Sequence, residues 1–235
     1  MIKLYIDIIE PSSMEELKKM ILLGERMGYS SLIVDIKNIN SYKKVYELSE
    51  QTSFPLFPLI TKNKKDISNF VGYTIIGTYA ENETMLRKNL RDPNTTVITV
   101  NLSAINFIIT KQTLNIAKQY YKFIEIPLRT LILAPPPERT KLIVSIRNKI
   151  SILSNKKINI LITSRATNIY EMISPHQLRS LLLLIGFKDY TLKKTLKENP
   201  LLLISTPAEV EILKTEQYLQ NLYKLKSKNF KNDIS

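Results

Sequence analysis

Residues 3–36 read KLYIDIIEPSSMEELKKMILLGERMGYSSLIVDI, and they contain one complete turn of a repeating unit. The run 3–9 is apolar and β-branched, which predicts a strand. Within 13–27, Leu17, Met20, Ile21 and Met27 recur at helical spacing. Ser13 stands at the N-cap, Glu16 three residues on completes a capping-box pattern, and Gly28 is placed to stop the helix. A second apolar run at 31–36 follows at once, so the segment is a βαβ unit.

The same alternation continues along the chain. Strands are predicted at 54–60, 73–79, 97–100, 123–127 and 158–163, with Pro55 and Pro58 marking the first of these as irregular. Helices are predicted at 41–49, 64–70, 81–90, 113–120, 138–153, 175–185 (closed by Gly186) and 190–198. The run LLLI at 201–204 supplies an eighth strand. Seven βα-like units and this eighth strand predict a single TIM-like (β/α) barrel, an α/β fold, over residues 1–205. Residues 206–235 add a C-terminal amphipathic helix over 207–225 and a basic tail carrying Lys224, Lys226, Lys228 and Lys231.

Charge narrows the function. The chain has 34 Lys plus Arg against 21 Asp plus Glu, a net charge of +13. Residues 1–80 are balanced, ten basic against nine acidic, but residues 93–170 hold eleven basic residues and only Glu125 and Glu138 as acids. Those eleven are Lys111, Lys118, Lys122, Arg129, Arg139, Lys141, Arg147, Lys149, Lys156, Lys157 and Arg165. Solvated surfaces normally mix signs, so the excess points to phosphate binding. No apolar run reaches the roughly 18 residues of a membrane span, and no secretory leader is visible, so a cytoplasmic location is expected.

Several chemistries are excluded. With no Cys and only His176, thiolate zinc sites and Cys–His pairs cannot be built. The five glycines, at 24, 28, 72, 77 and 186, form neither a Walker loop nor a dinucleotide fingerprint. His176 follows Ser174 and Pro175 and precedes Gln177, an N-cap, a first-turn proline and a capping-box glutamine, so it reads as a first-turn residue rather than a base. The acids inside predicted strands, Asp7, Asp35 and Glu125, leave a second reading open: a carboxylate-based or magnesium-dependent barrel enzyme. A third is a protein scaffold without RNA contact.

Four stretches carry a family resemblance: ILITSRA at 160–166, SPHQLRSLLLLIGF at 174–187 with ENP at 198–200, FIEIPLRTL at 123–131, and LGERMGYSSLIV at 23–34. Together they resemble ribonuclease P protein component 3, the archaeal relative of the eukaryotic thirty-kilodalton ribonuclease P subunit, over about residues 1–205. Arg165 stands where that family has a small Gly, Gln177 where an Asp is common, and Ser174 where a basic residue often precedes the Pro. The resemblance implies a barrel related to metal-dependent phosphoesterases but lacking their ligands. It implies a subunit that binds no cofactor and has no catalytic residues, with magnesium on the partner RNA. It also implies a heteromer with component 2, further protein subunits, and precursor tRNA reached through the holoenzyme.

On this reading the chain's task is electrostatic. The RNA contacts expected are Arg129 after the sixth strand, Arg165 after the seventh, and His176 with Arg179 at the next helix start, all at the barrel end where the strands finish. The alternatives for single residues are an Arg129–Glu125 pair and Arg179 lying over the leucine run.

Overall fold

A computed structural model describes residues 4–39, 41–61, 75–154 and 158–205. The expected helix at 64–70, Lys156, Lys157, and the C-terminal helix and tail lie outside the described residues. Seven parallel strands, β1 (Ile6–Ile9), β2 (Ser31–Asp35), β3 (Leu56–Thr61), β4 (Ile75–Ala80), β5 (Val97–Val100), β6 (Phe123–Pro127) and β7 (Asn159–Thr163), are hydrogen-bonded in sequence order. Around them lie α1 (Met14–Met27), α2 (Tyr42–Thr52), α3 (Glu83–Arg91), α4 (Ile105–Ile108), α5 (Lys111–Gln119), α6 (Arg129–Leu133), α7 (Pro136–Leu153), α8 (Pro175–Ile185), α9 (Asp189–Lys193) and α10 (Asn199–Ser205). This is a nearly closed TIM-like α/β barrel.

Local chemistry accounts for most of the element ends. Ser13 Oγ accepts from the Glu16 amide, and Gly28 ends α1 in the left-handed region at φ 90°. The Glu16 carboxylate does not complete the capping box; it accepts from the Ile169 amide 153 residues away at 2.8 Å and ties α1 to the loop after β7. At α8 the expected box is present, with Ser174 and Gln177 each holding the other's amide. Despite Pro55 and Pro58, β3 pairs with β2 in unbroken register from Leu56 to Leu59.

The expected eighth strand is a helix. Residues 201–204 lie in α10, reached from α9 through a π-helical turn at Lys194–Glu198. Pro200 cannot donate a backbone bond, and the widened turn just before it absorbs that loss. A four-residue apolar run has no periodicity of its own to separate strand from helix.

β1 and β7 are joined in two ways. Past the end of β7 the chain runs alongside β1, with Arg165 N donating to Ile8 O (3.0 Å) and Glu10 N to Ala166 O (2.9 Å). Lower down α10 fills the gap: Asn199 Nδ2 donates to Ile160 O at 2.6 Å, and Leu203 and Ile204 pack with Ile6, Ile8, Phe123 and Leu161 inside the barrel. Two further apolar clusters lie outside the sheet, one under α1 and α2 and one under α3 to α8.

Candidate nucleic-acid interface

Strand periodicity determines what fills the barrel mouth. Ile8, Ile33, Leu59, Val97, Phe123 and Leu161 belong to the interior cluster. Side chains alternate across a strand, so the residues two further on, Glu10, Asp35, Thr61, Thr99, Glu125 and Thr163, also face inward at the strands' C-terminal ends. Into this ring comes Arg165, held at φ 50° in the turn after β7.

Arg165 is 3 % exposed and fully engaged. Its Nε donates to Glu125 Oε1 (2.8 Å), Nη2 to Glu125 Oε2 (2.7 Å) and Thr99 Oγ1 (3.1 Å), and Nη1 to Asp35 Oδ2 (2.5 Å). Glu125 also accepts from Thr99 and Thr163, each at 2.6 Å, and Asp35 from Thr61 and the Lys37 amide. Tyr79 covers the cluster, with its ring 5.7 Å from the guanidinium and its hydroxyl donating to Glu10 at 2.9 Å. Burial pushes the Glu125 carboxyl up, but the Arg165 charge and the donors around it outweigh burial and hold it below the usual carboxylate range. Burial also pushes the Arg165 guanidinium down, and Glu125 more than reverses this.

The bidentate guanidinium and two threonine hydroxyls fill all four lone-pair positions of Glu125, and the same cation pairs with Asp35, so the arrangement is that of a structural ion pair rather than of a poised acid or base. The expected surface role of Arg165 is therefore corrected: it is an interior cation that ties β2, β5 and β6 to the turn after β7. Asp7 does not join the group. It points out of the barrel, accepts from Ser164 N (2.9 Å), Ser164 Oγ (2.5 Å) and Ile8 N (2.9 Å), and is pushed up to about 6 by burial. The three carboxylates of the enzyme reading thus do not converge.

Arg129 pairs with Glu171, not Glu125: Nε to Oε2 at 2.7 Å and Nη2 to Oε1 at 3.0 Å. Burial pushes Glu171 up, but Arg129 and Thr167 outweigh it and hold the carboxyl at about 2.

His176 and Arg179 lie at the opposite barrel end from Arg129 and Arg165. The loop after β7 descends the outside of the barrel, so that Tyr29, just ahead of β2, donates to Ile173 O at 2.6 Å. His176 lies 6.3 Å from the ring of Tyr5, ahead of β1. Arg179 meets Asp189 at 2.5 Å, both side chains well exposed. An eleven-residue connection can cross the full height of a barrel, so the rule that loops after strands emerge together does not reach α8.

Other members of the basic set also divide by partner. Lys122 is buried, donating to the carbonyls of Asp92 (2.9 Å) and Thr95 (2.5 Å), which removes it from phosphate binding. Arg139 caps the end of α6 through Ala134 O (2.9 Å), and Arg147 caps α8 through Ile185 O (3.1 Å), in each case with a carbonyl that leaves the charge uncancelled. Beside Arg147 runs a groove of about 660 Å³ between α7 and the α8–α9 corner, lined by Ser151, Ser154, Gly186, Lys188 and Tyr190 and, among the described residues, by no acid. Ser154 Oγ is buried there without a hydrogen-bond partner among the described residues. The sequence does not single out Lys188 or Ser154; the available signal is Lys188 two residues after the Gly186 stop, where the chain turns back against α7.

The fold and this distribution of charge define a barrel protein with a mouth closed by an internal ion-pair network and a basic flank. No helix among the described residues is long and apolar enough to cross a membrane. The family model for RNase P subunit p30 matches residues 1–209, and the chain belongs to that family, a protein subunit of ribonuclease P, the endoribonuclease of tRNA 5′ maturation. No curated protein sequence matches significantly. Among solved structures, the barrel is similar to a chain of archaeal ribonuclease P with mature tRNA (TM-score 0.69, 16 % identity, 87 % of this chain and 94 % of that one). It is also similar to a probable 2-pyrone-4,6-dicarboxylic acid hydrolase from Acinetobacter baumannii (TM-score 0.55, 10 % identity, 86 % and 100 % coverage). Both likenesses concern the fold.

Proposed function

We propose that the chain binds the catalytic RNA of ribonuclease P through the flank formed by α7, α8 and α9, and that it cuts nothing with its own residues. Crowding RNA phosphates costs Coulomb energy, and a cationic protein face lowers that cost and with it the magnesium the RNA requires. The observation that carries this reading is the groove lined by both Arg147 and Lys188 with no carboxylate among the described residues of its lining.

The expected contacts keep unequal parts in this proposal. Arg179 and His176 sit beside the flank, and the Arg179–Asp189 pair is exposed and weak enough to exchange for a phosphate. Arg129 spends its fork on Glu171, and Arg165 is internal. Magnesium belongs to the RNA, and the chain acts in a heteromer with component 2 and other subunits, meeting precursor tRNA in the assembled enzyme, in the cytoplasm.

The test is an affinity titration of the catalytic RNA against salt, with the wild type and an Arg147→Glu, Lys188→Glu double variant. Each lost phosphate contact should flatten the slope of log K against log salt by about 0.7–0.9. Unchanged affinity and slope would remove the α7–α9 flank as the RNA face.

A further inference from the structure

The connection between α5 and β6 holds a residue that folding does not explain. Tyr120 caps α5, and Tyr121 follows with φ 53°, its amide donating to Lys118 O at 3.3 Å and the Lys122 amide to Ala117 O at 3.0 Å. This is the left-handed position at a helix end that glycine fills without cost and that a bulky side chain fills under strain. Strain of this kind is usually offset by burial. Here the Tyr121 side chain is 83 % exposed, so the fold gains almost nothing from its ring, and Tyr120 beside it is 40 % exposed.

The surroundings are cationic. Lys118 is exposed one turn back along α5, and the buried Lys122 ammonium fastens the loop after α3, where Arg91 is exposed, against this corner. The acid of that loop, Asp92, is engaged within it by Asn94 N (3.0 Å) and Thr95 Oγ1 (2.9 Å). Two outward rings beside exposed cations form the combination that takes an unpaired nucleobase, the ring stacking on the base and the cations meeting the phosphates on either side. A protein partner would instead be expected to meet an apolar patch without this excess of charge.

We propose that Tyr121, with Tyr120 beside it, is a stacking platform for an unpaired base of the bound RNA, with Lys118 and Arg91 on the neighbouring phosphates. This deepens the RNA-binding reading and rests on it. The platform lies at the N-terminal end of β6, outside the α7–α9 groove, and gives the subunit a preference for single-stranded RNA that a purely electrostatic face would lack.

The test uses the full chain, a single-stranded oligouridylate and an RNA duplex of equal length. The protein contains no Trp, so Tyr121→Trp installs a single reporter. Its fluorescence should be quenched by the single strand and not by the duplex. Tyr121→Gly should keep or raise the Tm, since it relieves the backbone, while weakening single-strand binding about 5-fold or more and leaving duplex binding unchanged. Tyr121→Phe should bind as the wild type does. If Tyr121→Gly binds the single strand within two-fold of wild type, or if the duplex quenches the Trp equally, the platform is wrong although RNA binding stands. If neither RNA binds the wild type, both readings fail together.

Discussion

Arg165 and Glu125 meet in a two-point fork inside the barrel mouth, Nε to Oε1 at 2.8 Å and Nη2 to Oε2 at 2.7 Å, at the strand ends where barrel enzymes keep their reactive groups. The guanidinium acts there as a permanent, non-exchanging cation. Breaking such a pair leaves a bare charge in a dry site, which commonly costs about 3–5 kcal/mol. Arg165→Met should therefore lose stability on that scale by urea denaturation, and adding Glu125→Gln should recover part of it. An additive double mutant would show that the two residues are not coupled.

The same network separates a lock from an active centre. In a reconstituted holoenzyme, Glu125→Gln and Asp35→Asn should lower thermal stability while precursor-tRNA cleavage per folded molecule stays within about two-fold. A loss of turnover of several orders of magnitude in properly folded protein would revive the carboxylate-enzyme reading.

Asp7 gives a pH signature of defined sign. Its folded value of about 6 lies above the ordinary 3.8, so between those pH values the folded state holds more protons than the unfolded state. This contribution to stability is fully present below about pH 4, falls as pH rises to about 6, and is flat above. Asp7→Asn cannot titrate. Relative to wild type it should gain on the order of 2–3 kcal/mol between pH 4 and pH 7, measured by denaturant unfolding at each pH. A stability difference that does not change with pH would contradict the buried, raised carboxyl.

Lys122 and Lys118 are close in sequence and opposite in role. Lys122→Met strips the donor from the Asp92 and Thr95 carbonyls and should cost about 1–3 kcal/mol with little change in the salt dependence of RNA binding. Lys118→Met should do the reverse, leaving the Tm within about a degree and flattening the salt slope. Equal effects from the two would mean that the buried and exposed lysines are not divided as described.

Most of the barrel is legible along the chain because its signals are local: the short apolar runs of β5 and β6, the Ser13 and Ser174 caps, and the Gly28 and Gly186 stops. The misread parts depend on partners far away. LLLI at 201–204 is a helix because its neighbours are a π-helical turn and Pro200, and because Leu203 and Ile204 fill the gap between β1 and β7. Arg165 reads as a turn residue, and only the fold brings it to Glu125 and Asp35, 40 and 130 positions away. His176 and Arg179 lie at the barrel end opposite to the expected one, because sequence does not tell which way an eleven-residue loop runs. Arg147 was visible as part of a basic third, but its groove needed Lys188 and Ser154 from beyond and below it.

The most direct test of the central claim is cleavage of precursor tRNA by the cognate catalytic RNA and component 2 at limiting magnesium, with the wild-type chain, with the Arg147→Glu, Lys188→Glu variant, and with no chain. The wild type should raise the cleavage rate and lower the magnesium midpoint. The variant should move both most of the way back to the reaction without the chain, and added magnesium should restore it. A variant that supports cleavage as well as the wild type at every magnesium concentration would contradict an RNA-stabilising role for this flank.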